Sequence, residues 1–240
     1  MAAHNLAVLH MERHELFAAE RYFLQAVKIR PDHARALNNL GLISLAKRDL
    51  PGAIRHFESA IQSDSDFIGA RINLCRILLL TEGDLEQAQE HYLRALGVDA
   101  SVAGAQEQLA LDLVRAADRD TAQRFVQEAL KVRPQWTMLV NELAWSLATH
   151  PSAERRDPAR ALELAQQAVA MSDERNAKVL DTLAAAYAAN NDTTQAVDTA
   201  QQALRRARQT GNADLAGAIE SRLKLYRQGE AYIAAPEPAN

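Results

Sequence analysis

Covalent staples are missing from this chain: its one cysteine, Cys75, cannot form an intramolecular disulfide, so the fold must rest on packing. Aromatic residues make up 5% of the 240 residues, and there are only 9 glycines and 7 prolines. With alanine heavily used and β-branched residues in the minority, this scarcity of helix breakers excludes a sheet-rich fold and points to an all-α class. Positive charge is not in excess either. A formal charge of −4 and a pI near 6.0 give no long-range attraction for phosphate, so a nucleic-acid partner has no electrostatic support. No apolar run reaches the length of a membrane span, and the opening MAAHNLAVLHMERHELF has no long apolar signal region. The chain therefore reads as soluble, with no membrane insertion, and the choice between cytoplasm and periplasm stays open.

Reactive chemistry is equally scarce. There is no phosphate-binding glycine loop and no G-x-S-x-G nucleophile motif. His10 and His14 share a helix face at metal-ligand spacing, but His10 holds a core aromatic position and no third ligand accompanies the pair, so packing explains it better than metal. Cys75 stands at a small-residue position, which favours burial over reactivity. No enzyme activity, metal or cofactor is expected.

What is present is a recurring unit, clearest over residues 34–66, ARALNNLGLISLAKRDLPGAIRHFESAIQSDSD. Leu37, Leu40, Gly41 and Ser44 fall at i, i+3, i+4 and i+7, and Ala53, Phe57 and Ala60 continue the helical period, so two amphipathic helices are implied. The alanine of the second helix can be followed through Ala19, Ala53, Ala88, Ala122, Ala161 and Ala196. Its partner one heptad on follows in step as Ala26, Ala60, Ala95, Ala129, Ala168 and Ala203. Four residues ahead of the first series stand Glu15, Asp49, Asp84, Asp118, Asp157 and Asp192, where a carboxylate can cap the free N–H groups of the second helix.

This spacing predicts first helices near 3–13, 34–47, 68–81, 103–116, 137–149 and 176–189. Second helices follow near 16–29, 50–63, 85–97, 119–132, 158–171 and 193–209. A last helix at 213–228 carries one apolar and one charged side and is expected to cap the array. Residues 150–159, HPSAERRDPA, are an insertion expected to project from repeat five, where Arg155 and Arg156 can reach a partner.

Leu40-Gly41 and Ala53-x3-Phe57 match the tetratricopeptide pattern of W-x2-L-G-x2-Y followed by A-x3-F, although Leu37, Ser44 and Ser65 replace its Trp, Tyr and Pro. The chain resembles that family over residues 3–228. The resemblance implies a right-handed α-solenoid of six repeats, about 1–33, 34–67, 68–102, 103–136, 137–175 and 176–212, with a capping helix at 213–228 and a disordered tail at 229–240. It also implies a non-enzymatic scaffold whose concave face, lined by the first helices, binds an extended segment of a partner protein. Repeats five and six, with LAWSLAT and VLDTLAAAYA, resemble the closing repeats of bacterial multi-repeat proteins, which suggests a bacterial assembly or envelope pathway. The uncapped first repeat leaves room for self-association.

On the expected inner face, Asn5, Asn39 and Asn73 recur at one-repeat intervals and Gln108 follows. The row resembles the asparagine ladder of O-GlcNAc transferase, whose amides hold a peptide backbone by donating and accepting together. The alternative function is therefore the substrate-recruiting arm of a larger glycosyltransferase-like enzyme. The other reading of the row is that asparagine is common before the Leu-Gly pair in such repeats and simply tolerated there. Around the row, Leu42, Leu111 and Trp145 add apolar surface, and Asn38, Arg76, Arg115 and Asn141 add polar points, so all these residues join the candidate partner site. The basic clamp by which some family members hold acidic chaperone tails is absent: Asn38 stands in place of its lysine, and Thr182 in place of its arginine.

Overall fold

The computed structural model describes residues 2–81, 83–172 and 176–235; residues 173–175 of repeat five and 236–240 of the tail lie outside them. Fourteen α-helices are present among the described residues, and they fall into two compact units divided at Gln106 and Glu107.

In the first unit, α1 (Ala2–Glu12) pairs with α2 (Leu16–Ile29), α3 (Ala34–Ala46) with α4 (Leu50–Ser63), and α5 (Ile68–Leu80) with α6 (Leu85–Val98). The alanine register explains the pairing. Ala19, Ala53 and Ala88 are fully buried, and one turn on Phe23, Phe57 and Tyr92 fill the space that small residues open. Gly41 shows how close the contact is, since a Cβ there would lie 2.5 Å from the Phe57 ring.

Each turn within a pair must reverse the chain and start a capped helix. Asp49, Asp84, Asp118, Asp157 and Asp192 each accept backbone N–H groups of the helix they open, from Gly52, Gln87, Asp120 with Thr121, Arg160 and Gln195 respectively. Glu15, one methylene longer, makes no such cap and bonds His10 instead. The residue just before the cap is left-handed at His14, Arg48, Asn191 and Gly211, a conformation that only the last two adopt cheaply.

In the second unit, α8 (Glu107–Ala116) pairs with α9 (Arg119–Val132), α10 (Thr137–Thr149) with α11 (Pro158–Met171), and α12 (Ala177–Ala189) with α13 (Thr193–Gln209). The cap α14 (Ala213–Arg227) packs on α13 and touches α12. The first helices stack in the order α8, α10, α12, α14.

Three local departures from the sequence reading have physical causes. The helix expected over 103–116 is split into α7 (Val102–Ala105) and α8 at Gln106, whose backbone leaves the helical region. The buried Tyr92 hydroxyl needs an acceptor and donates to the Gln106 carbonyl at 3.1 Å, while Gly104 weakens the helix nearby. The insertion at 150–159 is tied down at its two arginines, although residues 151–154 are exposed. Arg155 donates to the Ala116 carbonyl at the end of α8 at 2.8 Å, and Arg156 to the carbonyl of His150 at 2.7 Å, so both arginines serve helix ends and the loop itself. Residues 229–235, expected within a disordered tail, are held against α10, with the Ala234 N–H donating to the Thr149 carbonyl at 2.8 Å.

Candidate functional site

In the first unit the asparagine row is only partly open. Asn5 is exposed, and Asn39 and Asn73 are half-buried. The Asn73 side chain donates to the Asn38 carbonyl oxygen at 3.0 Å, so one rung is tied to the packing between α3 and α5, where Asn38 is 8% exposed. Arg76 is exposed and bonds Gln106, and half-buried Leu42 packs beside the core formed by Leu37, Phe57 and Leu74. His4 is stacked on His33 with ring centroids 4.7 Å apart. Desolvation lowers the pKa of both rings, and neighbouring arginines add to the effect.

The second unit holds the better-formed site. Arg115, Asn141, Glu142, Trp145, Lys178, Asp181, Thr182, Leu215 and Arg222 enclose a pocket of about 260 Å³, on the faces that α8, α10, α12 and α14 turn toward one another. Leu111, by contrast, is buried at 6% exposure among these helices, and Gln108 is exposed and bonds Asp112 on its own helix at 2.8 Å.

Ion pairs fix the walls. Arg115 reaches Glu142 through two bonds of 2.7 and 3.0 Å and Asp112 through a third. Arg222 holds Asp181 at 3.0 and 2.5 Å, with both side chains almost wholly buried. Burial pushes the Asp181 carboxyl up and the guanidinium pulls it down, with burial the larger effect. Arg222 also lies against two rings that touch each other, its guanidinium carbon 5.2 Å from the Trp145 ring centre and 5.4 Å from that of Tyr232.

At the floor lies Asn141. It is fully buried, yet neither its amide nitrogen nor its oxygen has a hydrogen-bond partner. Leaving such a group unpaired costs ~1–3 kcal/mol, which a partner group able to reach this amide would recover. An amide facing a half-buried Trp145 and an exposed Lys178 can pair with one peptide unit while the indole takes a neighbouring side chain.

Of the expected residues, the structure brings Arg115, Asn141 and Trp145 together in this pocket, and Asn38, Asn39 and Asn73 onto neighbouring helices of the first unit. Sequence reasoning had no means of finding Asp181, Arg222 and Tyr232, because Asp181 and Arg222 pair across 41 positions. Trp136 was missed as well. It is buried at the start of α10 and donates to Glu107 at 2.9 Å, a structural role. Cys75 is buried, its thiol pushed up to about 12 by desolvation. Among the described residues no three His, Cys, Asp or Glu side chains gather as a metal-ligand set, and no helix is long and apolar enough to cross a membrane.

Two tetratricopeptide-repeat family models match the chain, over residues 4–66 and 44–109. No curated protein matches it significantly. Among solved structures it is similar to one of Naa15/Naa10 bound to HypK-THB, with 15% identity over 95% of this chain and 38% of that one and a TM-score of 0.55. It is also similar to the MamA protein, with 16% identity, coverage of 75% of this chain and 94% of that one, and a TM-score of 0.51. A third is YrrB, described as a TPR protein with an unusual peptide-binding site, with 15% identity, coverage of 83% and 97%, and a TM-score of 0.51. At such identities the likeness establishes the fold: all-α, built of helix-pair repeats.

Proposed function

We propose that this tetratricopeptide-repeat chain is a non-enzymatic interaction scaffold, and that the pocket between α8, α10, α12 and α14 receives an extended segment of a partner protein. The observation that carries this reading is Asn141, a buried amide with both polar atoms unsatisfied, set beside Trp145. A peptide unit supplies what that amide lacks, and its energetic return is larger inside a desolvated pocket than on the surface. Three cationic and two anionic side chains line the site, which suits a near-neutral segment better than a polyanion. In the first unit, Asn5, Asn39 and Asn73 offer the same backbone-reading chemistry on a more open face, with Leu42 and Arg76 beside them. The resemblance of repeats five and six to bacterial multi-repeat proteins supports a place in a bacterial assembly or envelope pathway.

The test is a photo-crosslinking residue at the exposed Lys178 position, with a control at Gln202 on α13. Partners recovered from native extract through position 178, absent from position 202 and lost in Asn141→Ala/Trp145→Ala, are the expected outcome. Identical recovery from both positions, or recovery indifferent to the double substitution, would exclude the pocket as the site.

A further inference from the structure

Beyond the pocket itself, the chain carries a segment laid along the faces that form it. α14 ends at Arg227, and two residues on, the left-handed backbone of Gly229 (φ 78°) lets the N–H groups of Gly229 and Glu230 return to the carbonyls of Tyr226 and Leu225, both at 3.0 Å. The helix is thereby stopped and the chain redirected. From Glu230 to Ala235 it has no helical structure. Exposure alternates from Tyr232 onward: Tyr232 and Ala234 are half-buried, Ile233 and Ala235 exposed, as in an extended strand with one face down. Six extended residues span about 20 Å. That matches two helix-to-helix steps of roughly 8–10 Å, and α12 stands between α14, where the segment starts, and α10, where it is anchored.

The anchors are the two features a peptide ligand would use. Tyr232 places its ring 5.8 Å from that of Trp145 and 5.4 Å from the Arg222 guanidinium carbon, completing a three-sided cluster. The Ala234 N–H bonds the Thr149 carbonyl, one of the carbonyls that the end of α10 leaves without a helical partner. Trp145 is shared, since it lines the pocket and also lies against Tyr232.

We propose that Glu230–Ala235 is an intramolecular ligand of the second unit, an autoinhibitory strap that covers the Trp145 end of the groove. A partner displaces it with an extended segment of its own, bearing an aromatic residue followed two positions later by a small one, as Tyr232 and Ala234 are in the strap. This rests on the groove reading above and adds its regulation and ligand class. A tethered strap acts at an effective concentration of the order of millimolar for a short linker. A segment of the same sequence added in trans with micromolar affinity is therefore held off by up to about a thousandfold until the strap is released.

The probe is the fluorescein-labelled peptide GEAYIAA, read by anisotropy against full-length protein. In Tyr232→Ala/Ala234→Pro the strap loses its ring and its anchoring N–H, and the peptide is expected to bind at least about tenfold tighter than to the parent, whereas GEAAIAA does not bind. Equal binding to parent and variant overturns the strap as an occupant. No binding to a variant with the parent's helical signal and melting point overturns the ligand role and makes the segment a structural cap. Should the double variant not fold, hydrogen exchange on the parent decides. An Ala234 amide protected alone and exposed by excess peptide supports the strap; one exchanging at the unstructured rate, or unmoved by peptide, sinks it. None of these readouts depends on recovery of a natural partner, so the strap can fail while the crosslinking at position 178 succeeds, and the reverse.

Discussion

The two units use one repeat to opposite ends. In the first, the pairs are filled by Phe23, Phe57 and Tyr92, the polar residues of the row are neutral amides, one of which bonds the neighbouring amide Asn38, and large apolar side chains such as Phe17 and Leu80 are 83% and 82% exposed. In the second, Ala165 and Ala200 replace the rings, buried ions replace the amide pair, and a segment of the chain itself covers Trp145. The fold's register therefore tolerates either solution, because it is fixed by small residues and caps on the second helices. The first helices are left to differ. A binding surface can then change from repeat to repeat without disturbing the helix pairs.

The sharpest way to break the contrast is Arg222→Ala. It leaves Asp181 as an unpaired buried carboxylate, which costs roughly 3–5 kcal/mol, and it removes the cation that lies against both Trp145 and Tyr232. Hydrogen exchange resolved along the chain is expected to lose protection in α10–α14 far more than in α1–α6. An equal loss in both would mean that the units do not respond separately. The counterpart in the first unit is Gly41→Ala. Alanine improves helix propensity by about 1 kcal/mol, but its Cβ meets the buried Phe57 ring at 2.5 Å, and overpacking of this kind costs ~1–3 kcal/mol. A net loss of stability by denaturant unfolding is expected, and a gain would show that the ring yields.

A smaller effect separates the caps. Asp192→Ala removes the acceptor of the Gln195 N–H and should cost ~0.5–2 kcal/mol. Glu15→Ala, at the equivalent position without a cap bond, should stay within about ±0.5 kcal/mol. Thermal melts of the two variants check the difference directly.

These caps also show what the sequence could and could not reveal. Helix positions were legible because alanine at two positions and aspartate at a third repeat in fixed register, and each acts on backbone within its own turn. The helix break at Gln106 was not, because its cause is a tyrosine hydroxyl fourteen residues away. The row of asparagines was legible as residues but not as partners, since the 3.0 Å bond from Asn73 to Asn38 depends on how two helices cross. Asn141 and Trp145 stood out as inner-face residues. What sets Trp145 apart, its cover, arises from Arg222 and Tyr232 brought in by the last helix and the turn at Gly229, and what sets Asn141 apart, an unpaired amide, depends on packing between helices that no single repeat specifies.

The smallest predicted effect concerns acid. His4, His33, His56 and His91 all lie in the first unit, and desolvation lowers the pKa of each below the ordinary 6.5. Arginine neighbours reinforce the shift: Arg35 beside His4, Arg30 beside His33, Arg55 beside His56 and Arg71 beside His91. Asp49, Glu20 and Glu90 oppose it at the last two. A histidine with a lowered folded pKa binds its proton more readily when unfolded. Its contribution is intact above pH 6.5 and is lost as the pH falls from there toward the folded value. Protection of α1–α6 in hydrogen exchange, corrected for intrinsic rate, is therefore expected to fall between pH 7 and pH 5. The fall should be shallower in His33→Gln/His91→Gln, which removes one ring of the His4 stack and the most buried of the four imidazoles. A double variant with the parent's pH slope would assign the acid response to carboxylates instead, and acid sensitivity would no longer distinguish the first unit from the second.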